Sequence, residues 1–318
     1  LDPTFAELVL DVLYREMLSM QEIPRRHQGS LAITHVTVVP MDTERLLLDQ
    51  TVIIKDGIIQ SLTPTLDPRD LKDIEVVDGS GKYLMPGIAD MHVHYRHWLP
   101  YEFALYLANG VTLVRNMWGK AWHLRLAHKI QQGRLPGPHL VTTSPIIDGL
   151  GSWGGPIWRG SIVLSSPGGA DTLVRRYAKQ GYQQIKVYSL LTQATLQALG
   201  AASQRAGLPM VGHCPNGVTY EQAIEAGMSC FEHLMGIADG HLSVDQAPGS
   251  WINLWDIQNM HMLAQAIDQR TLRQLAQKLA REQIWNCPTL VVWQQGAQDP
   301  FVAQADPLLR YEPLHGWK

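Results

Sequence analysis

Apolar and polar positions change their rhythm once along the chain, near residue 83, and the two rhythms predict two kinds of structure. Ahead of that point, residues 3–20 carry Phe5, Leu8, Val9, Val12, Leu13 and Met17 at helical spacing, which predicts an amphipathic helix. Segments 31–39, 51–60 and 74–77 are short β-rich runs punctuated by Asp-Gly, Pro and Asp turns, the pattern of a small β-domain. Past residue 83, apolar strand-like runs at 84–94, 111–117, 139–144, 183–189, 209–213, 229–233 and 284–292 alternate with helix-like stretches. The helices are expected near 101–109, 119–132, 169–180, 192–206, 217–226 and 258–282. Gly110, Gly181, Gly207 and Gly227 stand where a helix hands over to the next strand, the place of a left-handed C-terminal cap.

Strands covered on both faces read as near-continuous apolar runs, so βα units in series predict a parallel sheet clothed by helices. Seven such units favour an α/β barrel of the (β/α)8 TIM type, with an open doubly wound sheet as the alternative. No eighth strand is legible in the last 25 or so residues. The expected organisation is a helical extension over 1–28, an incomplete β-sandwich over 29–82 and a barrel, incomplete at its end, over 83–318.

At 318 residues and 35.6 kDa the chain is long enough for a large core without disulfides. Lys+Arg number 26 against 29 Asp+Glu, so the surplus of positive charge that nucleic acid or an anionic membrane would demand is missing. No apolar run approaches the ~18 residues of a membrane helix. Residues 1–20 include Asp11, Arg15 and Glu16, which do not suit a secretory signal. Cys214, Cys230 and Cys287 are odd in number and have no CxxC spacing, so they are neither a disulfide framework nor a zinc knuckle. The compartment stays open.

The candidate chemistry sits at strand ends. His92 and His94 flank one residue at the end of the first barrel strand, where positions i and i+2 share a face and two imidazoles can grip one ion. With 13 histidines in the chain the same spacing also arises by chance. Lys186 lies in the fourth strand, and His213 and His233 end the fifth and sixth. In α/β barrels the C-terminal ends of the strands line the active site, so these five side chains would converge on one mouth. Tyr188, two residues beyond Lys186, reads either as a substrate contact or as a lining aromatic. Trp153 and Arg159, in the Gly-rich stretch 149–160, are candidate pocket residues, Arg159 reading either as a contact for an anionic substrate group or, better, as a solvated loop arginine; Arg96, His97 and Trp98, just after the dyad, face the same choice. The match of Gly149, Gly151 and Gly154 to a dinucleotide fingerprint is a decoy, because Gly155, Pro156 and Gly160 follow and no helix starts.

The string MPGIADMHVH over 85–94, following VIIKDGIIQ, resembles the amidohydrolase superfamily of metal-dependent hydrolases. IKVYS, MVGHC and CFEHL continue the resemblance in order, and GHCPNGV, AIEAGMSCFEHL and PTLVV are most similar to its imidazolonepropionase and Xaa-Pro dipeptidase-related branch. The resemblance implies one or two divalent metals, zinc first, on His92, His94, His213 and His233. It makes Lys186 a carboxylated bridge between two metals. It implies hydrolysis of a C–N bond in a cyclic amide or short peptide by metal-activated water. Two departures stand against it. Ser144-Pro-Ile-Ile-Asp-Gly149 replaces a Gly-Gly-His-Gly stretch after the third strand, and no aspartate is available on an eighth strand as general base. The alternative reading is therefore a metal-binding but inactive fragment or pseudoenzyme, completed by a second chain or forming a homo-oligomer. A binding protein with a Trp-rich mouth is a third class.

Overall fold

The computed structural model describes residues 29–64, 66, 71–95, 101–151, 160–234 and 268–296. The expected helix over 3–20, Trp153, Arg159, Arg96, His97 and Trp98 lie outside the described residues. The chain divides into two compact units. One is Leu1–Asp90, Tyr95–Val114 and Arg125–Leu140; the other is Met91–His94, Arg115–Leu124 and Val141–Lys318.

The first unit holds a five-stranded sheet of β1 (Ser30–Val38), β2 (Leu47–Lys55), β3 (Ile58–Pro64), β4 (Glu75–Asp78) and β5 (Tyr83–Leu84), ordered β3-β2-β1-β4 with β5 also on β1. β2 and β3 form the antiparallel hairpin that Asp56-Gly57 announces, with both turn residues at positive φ as a primed two-residue turn requires. Alternation along β1 turns Ala32, Thr34, Val36 and Val38 inward, and Val36, Val38 and Val52 make the unit's small core.

In the second unit the strands are parallel. β9 (Ile147–Asp148), β10 (Ile162–Val163), β11 (Ile185–Val187), β12 (Met210–Gly212), β13 (Met228–Glu232) and β14 (Trp285–Cys287) order as β10-β9-β11-β12-β13-β14. β6 (Ile88–Val93), β7 (Val111–Asn116) and β8 (His139–Thr142) form a three-stranded sheet. Backbone bonds at the strand ends carry this succession onward: Met117 N–H to Val93 O, Thr143 N–H to Asn116 O, Ser144 N–H to Gln184 O and His213 N–H to Val187 O. Among the described residues no strand joins β14 back to β6.

Between them run α1 (Tyr101–Ala108), α2 (Ala121–Gln131), α3 (Ala170–Gln180), α4 (Gln193–Ala206), α5 (Tyr220–Glu225), α6 (Gln269–Arg281) and α7 (Leu290–Gly296). α3 and α4 end at Gly181 and Gly207 in the left-handed conformation, as the glycine stops predicted. The main core lies between helices and sheet. Val174, Tyr177, Leu196, Leu199, Tyr220 and Leu275 pack with Ile185, Val187, Met210 and Phe231. No described helix is long and apolar enough to cross a membrane.

Two expectations are corrected, and two strands are added. The run 84–94 is two strands, because Pro86 and Gly87 interrupt the ladder between β5 and β6. The run 284–292 is strand only over 285–287. Thr289 then takes a left-handed backbone and Leu290 starts a helix, which an apolar run of that length does not distinguish from strand. β9 and β10, of two residues each, are too short to leave a period in the sequence.

Candidate metal centre

Alternation decides which side chains face away from the helices. On β11, Ile185 and Val187 go to the main core and Lys186 points to the other face. On β13 Phe231 joins the core while Cys230 and Glu232 turn the other way, and a register shift beside Met228 lets that residue keep the core face. The inner face thus gathers Arg115, Lys186, Cys230 and Glu232, all buried, around a small apolar contact of Met117, Val211 and Cys230.

The strand ends add the histidines. His92 is the penultimate residue of β6 and His94 follows its end; their Nε2 atoms lie 3.1 Å apart. His213 directly follows β12 and His233 directly follows β13. The rings form a continuous series: His92 to His94 at 5.1 Å, His92 to His233 at 4.5 Å and His233 to His213 at 5.0 Å between centroids. Tyr188 lies against His213 at 4.0 Å, and the Lys186 Nζ is 6.0 Å from the Tyr188 ring. His94 meets Trp118 edge-on at 6.2 Å. The structure therefore brings together His92, His94, Lys186, Tyr188, His213 and His233.

Three of these imidazoles have Nδ1 engaged by neighbouring side chains. His92 Nδ1 is 2.7 Å from Glu232 Oε2, His213 Nδ1 is 2.9 Å from Ser189 Oγ, and His233 Nδ1 is 2.6 Å from Thr289 Oγ1. With Nδ1–H donating, each Nε2 keeps its lone pair, which is how protein scaffolds prepare histidine as a ligand. Glu232 is itself held by Arg115, whose Nη2 donates to Oε1 at 2.7 Å while Nε donates to the Met91 carbonyl at 2.7 Å. His233 and Thr289 both have left-handed backbones, at φ 63 and φ 49, a strained pair of the sort that surrounding structure imposes at functional sites.

The electrostatics favour neutral imidazoles. Burial, with His92 and Lys186 nearby, pushes His233 down to about 3. Burial and the charges of Lys186 and the neighbouring histidines hold His213 well below its ordinary value, and burial lowers His92 against the opposing pull of Glu232. Burial would raise Glu232, but the His92 hydrogen bond and the Lys186 and Arg115 charges outweigh it and hold the carboxyl at about 2. Lys186 is fully buried, its Nζ has no hydrogen-bond partner, and burial pushes it down to about 8 despite Glu232.

These observations fit a divalent cation: imidazoles in ring contact, three of them engaged at Nδ1, beside a buried amine with no hydrogen-bond partner. Among the described residues, the ligand atoms that gather within 4.8 Å of one another are those of His92, Glu232 and Cys287. The chemistry of that grouping suits a cation less. The carboxylate already serves Arg115 and His92, and burial, reinforced by Glu232, keeps the Cys287 thiol protonated at about 11. Glu232, Arg115, Ser189 and Thr289 went unread in the sequence. A signal existed for two of them, since a charged residue inside an apolar strand run needs a buried partner.

No family model matches the chain. Residues over a 45-residue stretch are 47% identical to a dihydroorotase of Carboxydothermus hydrogenoformans, covering 14% of this chain and 10% of that protein. Among solved structures the fold is similar to a putative prolidase from Bifidobacterium longum, at TM-score 0.57 and 21% identity over 66% of this chain and 55% of that one. It is similar to the bottromycin amidohydrolase, at TM-score 0.63 and 24% identity over 86% and 54%. A Xaa-Pro dipeptidase with bound methionine matches at TM-score 0.59 and 16% identity over 89% of both chains. This chain thus spans about half the length of the first two. The fold is that of prolidases and amidohydrolases, as the resemblance to the amidohydrolase superfamily implied.

Proposed function

From an amidohydrolase fold we propose that this chain carries the metal-dependent site of a hydrolase that cleaves a C–N bond in a small amide, cyclic amide or short peptide. The observation that carries the proposal is the set of Nδ1 anchors on His92, His213 and His233 beside the buried Lys186 amine, which has no hydrogen-bond partner. The same proposal includes a closed (β/α)8 barrel, of which β6, β7, β8, β11, β12, β13 and β14 would supply seven walls.

His92, His94, His213 and His233 would hold the ion, zinc by the preference of imidazole. When bound, a divalent ion lowers the pKa of water and polarises a carbonyl. The chain's own residues prepare for it. Glu232, fixed by Arg115 and able only to accept, sets the tautomer of His92, while the Ser189 and Thr289 hydroxyls orient the rings of His213 and His233. The low pKa of the imidazoles keeps them unprotonated, so they do not repel a cation. Lys186, depressed to about 8, has an appreciable neutral fraction, and its Nζ would add CO2 with release of one proton to water, becoming a carboxylated anionic ligand. Tyr188, at the end of β11 over His213, is placed to orient the substrate through its hydroxyl.

The test pairs metal analysis with hydrolysis. Metal content of the purified chain is measured, and a panel of cyclic amides and Xaa-Pro dipeptides is assayed as isolated, after chelation and after zinc is restored. Activity that disappears and returns with zinc, and is abolished in His92→Ala, supports the proposal. Hydrolysis indifferent to chelation, or a chain that takes up no divalent metal, overturns it. Intact mass under native conditions reads Lys186 separately, through the increment of one CO2 that Lys186→Ala removes.

A further inference from the structure

Asp148 ends β9 and is 1% exposed. Its Oδ1 accepts two backbone N–H groups, from Leu190 at 2.7 Å and from Gly149 at 2.9 Å. Leu190 belongs to the loop between β11 and α4, the segment that carries Tyr188 and Ser189. Ser189 Oγ is 2.9 Å from His213 Nδ1, and the Ser189 carbonyl accepts the Asn216 N–H at 2.8 Å. One carboxyl oxygen therefore fixes the backbone one residue beyond the hydroxyl that orients a histidine. A second contact grips the same residue from its other end. A Cβ on Gly149 would run into the Leu190 carbonyl, so only glycine lets the two backbones approach this closely. Farther along, Thr192 caps α4 by accepting from Thr195 N–H, which pins the loop's exit. Asp148-Gly149 pins its middle.

We propose that Asp148 is a positioning residue of the candidate metal centre, holding Leu190 so that Ser189 keeps His213 in the tautomer and orientation that present Nε2. The proposal deepens the hydrolase reading and rests on it for its functional meaning. The role needs an acceptor at Oδ1 and not a negative charge. Oδ2 is buried without a hydrogen-bond partner, and burial raises the carboxyl above its ordinary pKa against the two N–H bonds. Asparagine keeps the acceptor in place; alanine removes it.

The experiment follows the His213 imidazole by two-bond proton–nitrogen correlation in the metal-free chain, and zinc affinity by chelator competition. Asp148→Asn is expected to match the wild type in both. Asp148→Ala is expected to show His213 exchanging between tautomers and a zinc affinity weaker by roughly tenfold or more, as loss of an outer-shell partner produces. Asp268→Ala, which removes the α6 cap bonds to Arg270 and Thr271 far along the chain, lowers the melting temperature without moving either readout. Should Asp148→Ala fail to fold, Gly149→Ala displaces Leu190 from the other side and is expected to give the same spectrum. The proposal is overturned if Asp148→Ala or Gly149→Ala leaves the His213 signal and zinc affinity unchanged. It also fails if Asp148→Asn loses both as completely as alanine does. A wild type that binds no zinc refutes the hydrolase reading, while the His213 spectrum still decides the positioning claim.

Discussion

At the scale of residues, the candidate centre is governed by a buried ion pair of Arg115 and Glu232 that runs on by hydrogen bond to a neutral His92. An ion pair of this kind is worth little as a source of stability but costly to break from one side. Arg115→Met leaves the Glu232 carboxylate buried without its fork. We expect a loss of about 3–5 kcal/mol in chemical denaturation. Glu232→Gln keeps the shape and removes the charge. Its expected effect is smaller on stability and larger on metal, an affinity weaker by roughly 10- to 100-fold in calorimetric titration. Equal zinc affinity in Glu232→Gln and wild type would show that His92 needs no anchor.

Residue identity was legible for His92, His94, Lys186, His213 and His233 because each stands at or near the end of an apolar run, where barrel chemistry collects. It was not legible for the anchors. Glu232 sits 140 positions from His92 and serves it only because β6 and β13 bring their ends together. Ser189 and Thr289 are ordinary loop residues until the rings of His213 and His233 come to rest beside them.

At the scale of elements, the helices do the work of pressing flat strands into a wall, and α4 is the most closely seated. Leu196, Leu199, Gly200 and Ala202 on it are buried. A Cβ at Gly200 would enter the carbonyl oxygen of Ala226, at the end of α5. Gly200→Ala, favourable by helix propensity alone, is therefore expected to destabilise by about 1–3 kcal/mol through overpacking. A rise in melting temperature would mean the two helices have slack. Thr219→Ala dismantles the capping box with Gln222 at the start of α5 and is expected to cost about 1 kcal/mol. Helix stops and the hairpin turn were legible because glycine and Asp-Gly act locally. The end of β14 was not, since Thr289 adopts a left-handed backbone that local preference disfavours and the contact with His233 accompanies.

At the scale of the whole molecule, the cluster links stability to pH and, under the proposed function, to metal. A histidine held below its unfolded pKa of about 6.5 binds fewer protons in the folded state than in the unfolded one. Its contribution is fully present above that value and is lost as pH falls toward about 3 for His233, with a slope near 1.4 kcal/mol per pH unit for each such group. Glu232, held at about 2, adds loss in the same direction at lower pH. The metal-free chain is thus expected to melt progressively lower from pH 6.5 downward, and His233→Gln to flatten that slope. If the proposed centre binds zinc, the ion is expected to add stability by mass action, about 2.7 kcal/mol at a hundredfold excess over its dissociation constant. Calorimetric scans with zinc and with a chelator check this, and identical melting temperatures would count against a folded-state site.

Period, turn chemistry and the order of polar residues along the chain determined the alternation of strands and helices, the parallel sheet and five of the ring and amine groups at the centre. These follow from short-range physics: side chains alternate on a strand, helices stop at glycine, and buried strands are apolar throughout. The tertiary structure alone decided which nitrogen of each histidine is spent, that Glu232 and Arg115 stand behind His92, and that Asp148 reaches Leu190. Those choices depend on distances between strands far apart in sequence, and no local pattern of residues encodes a distance of that kind.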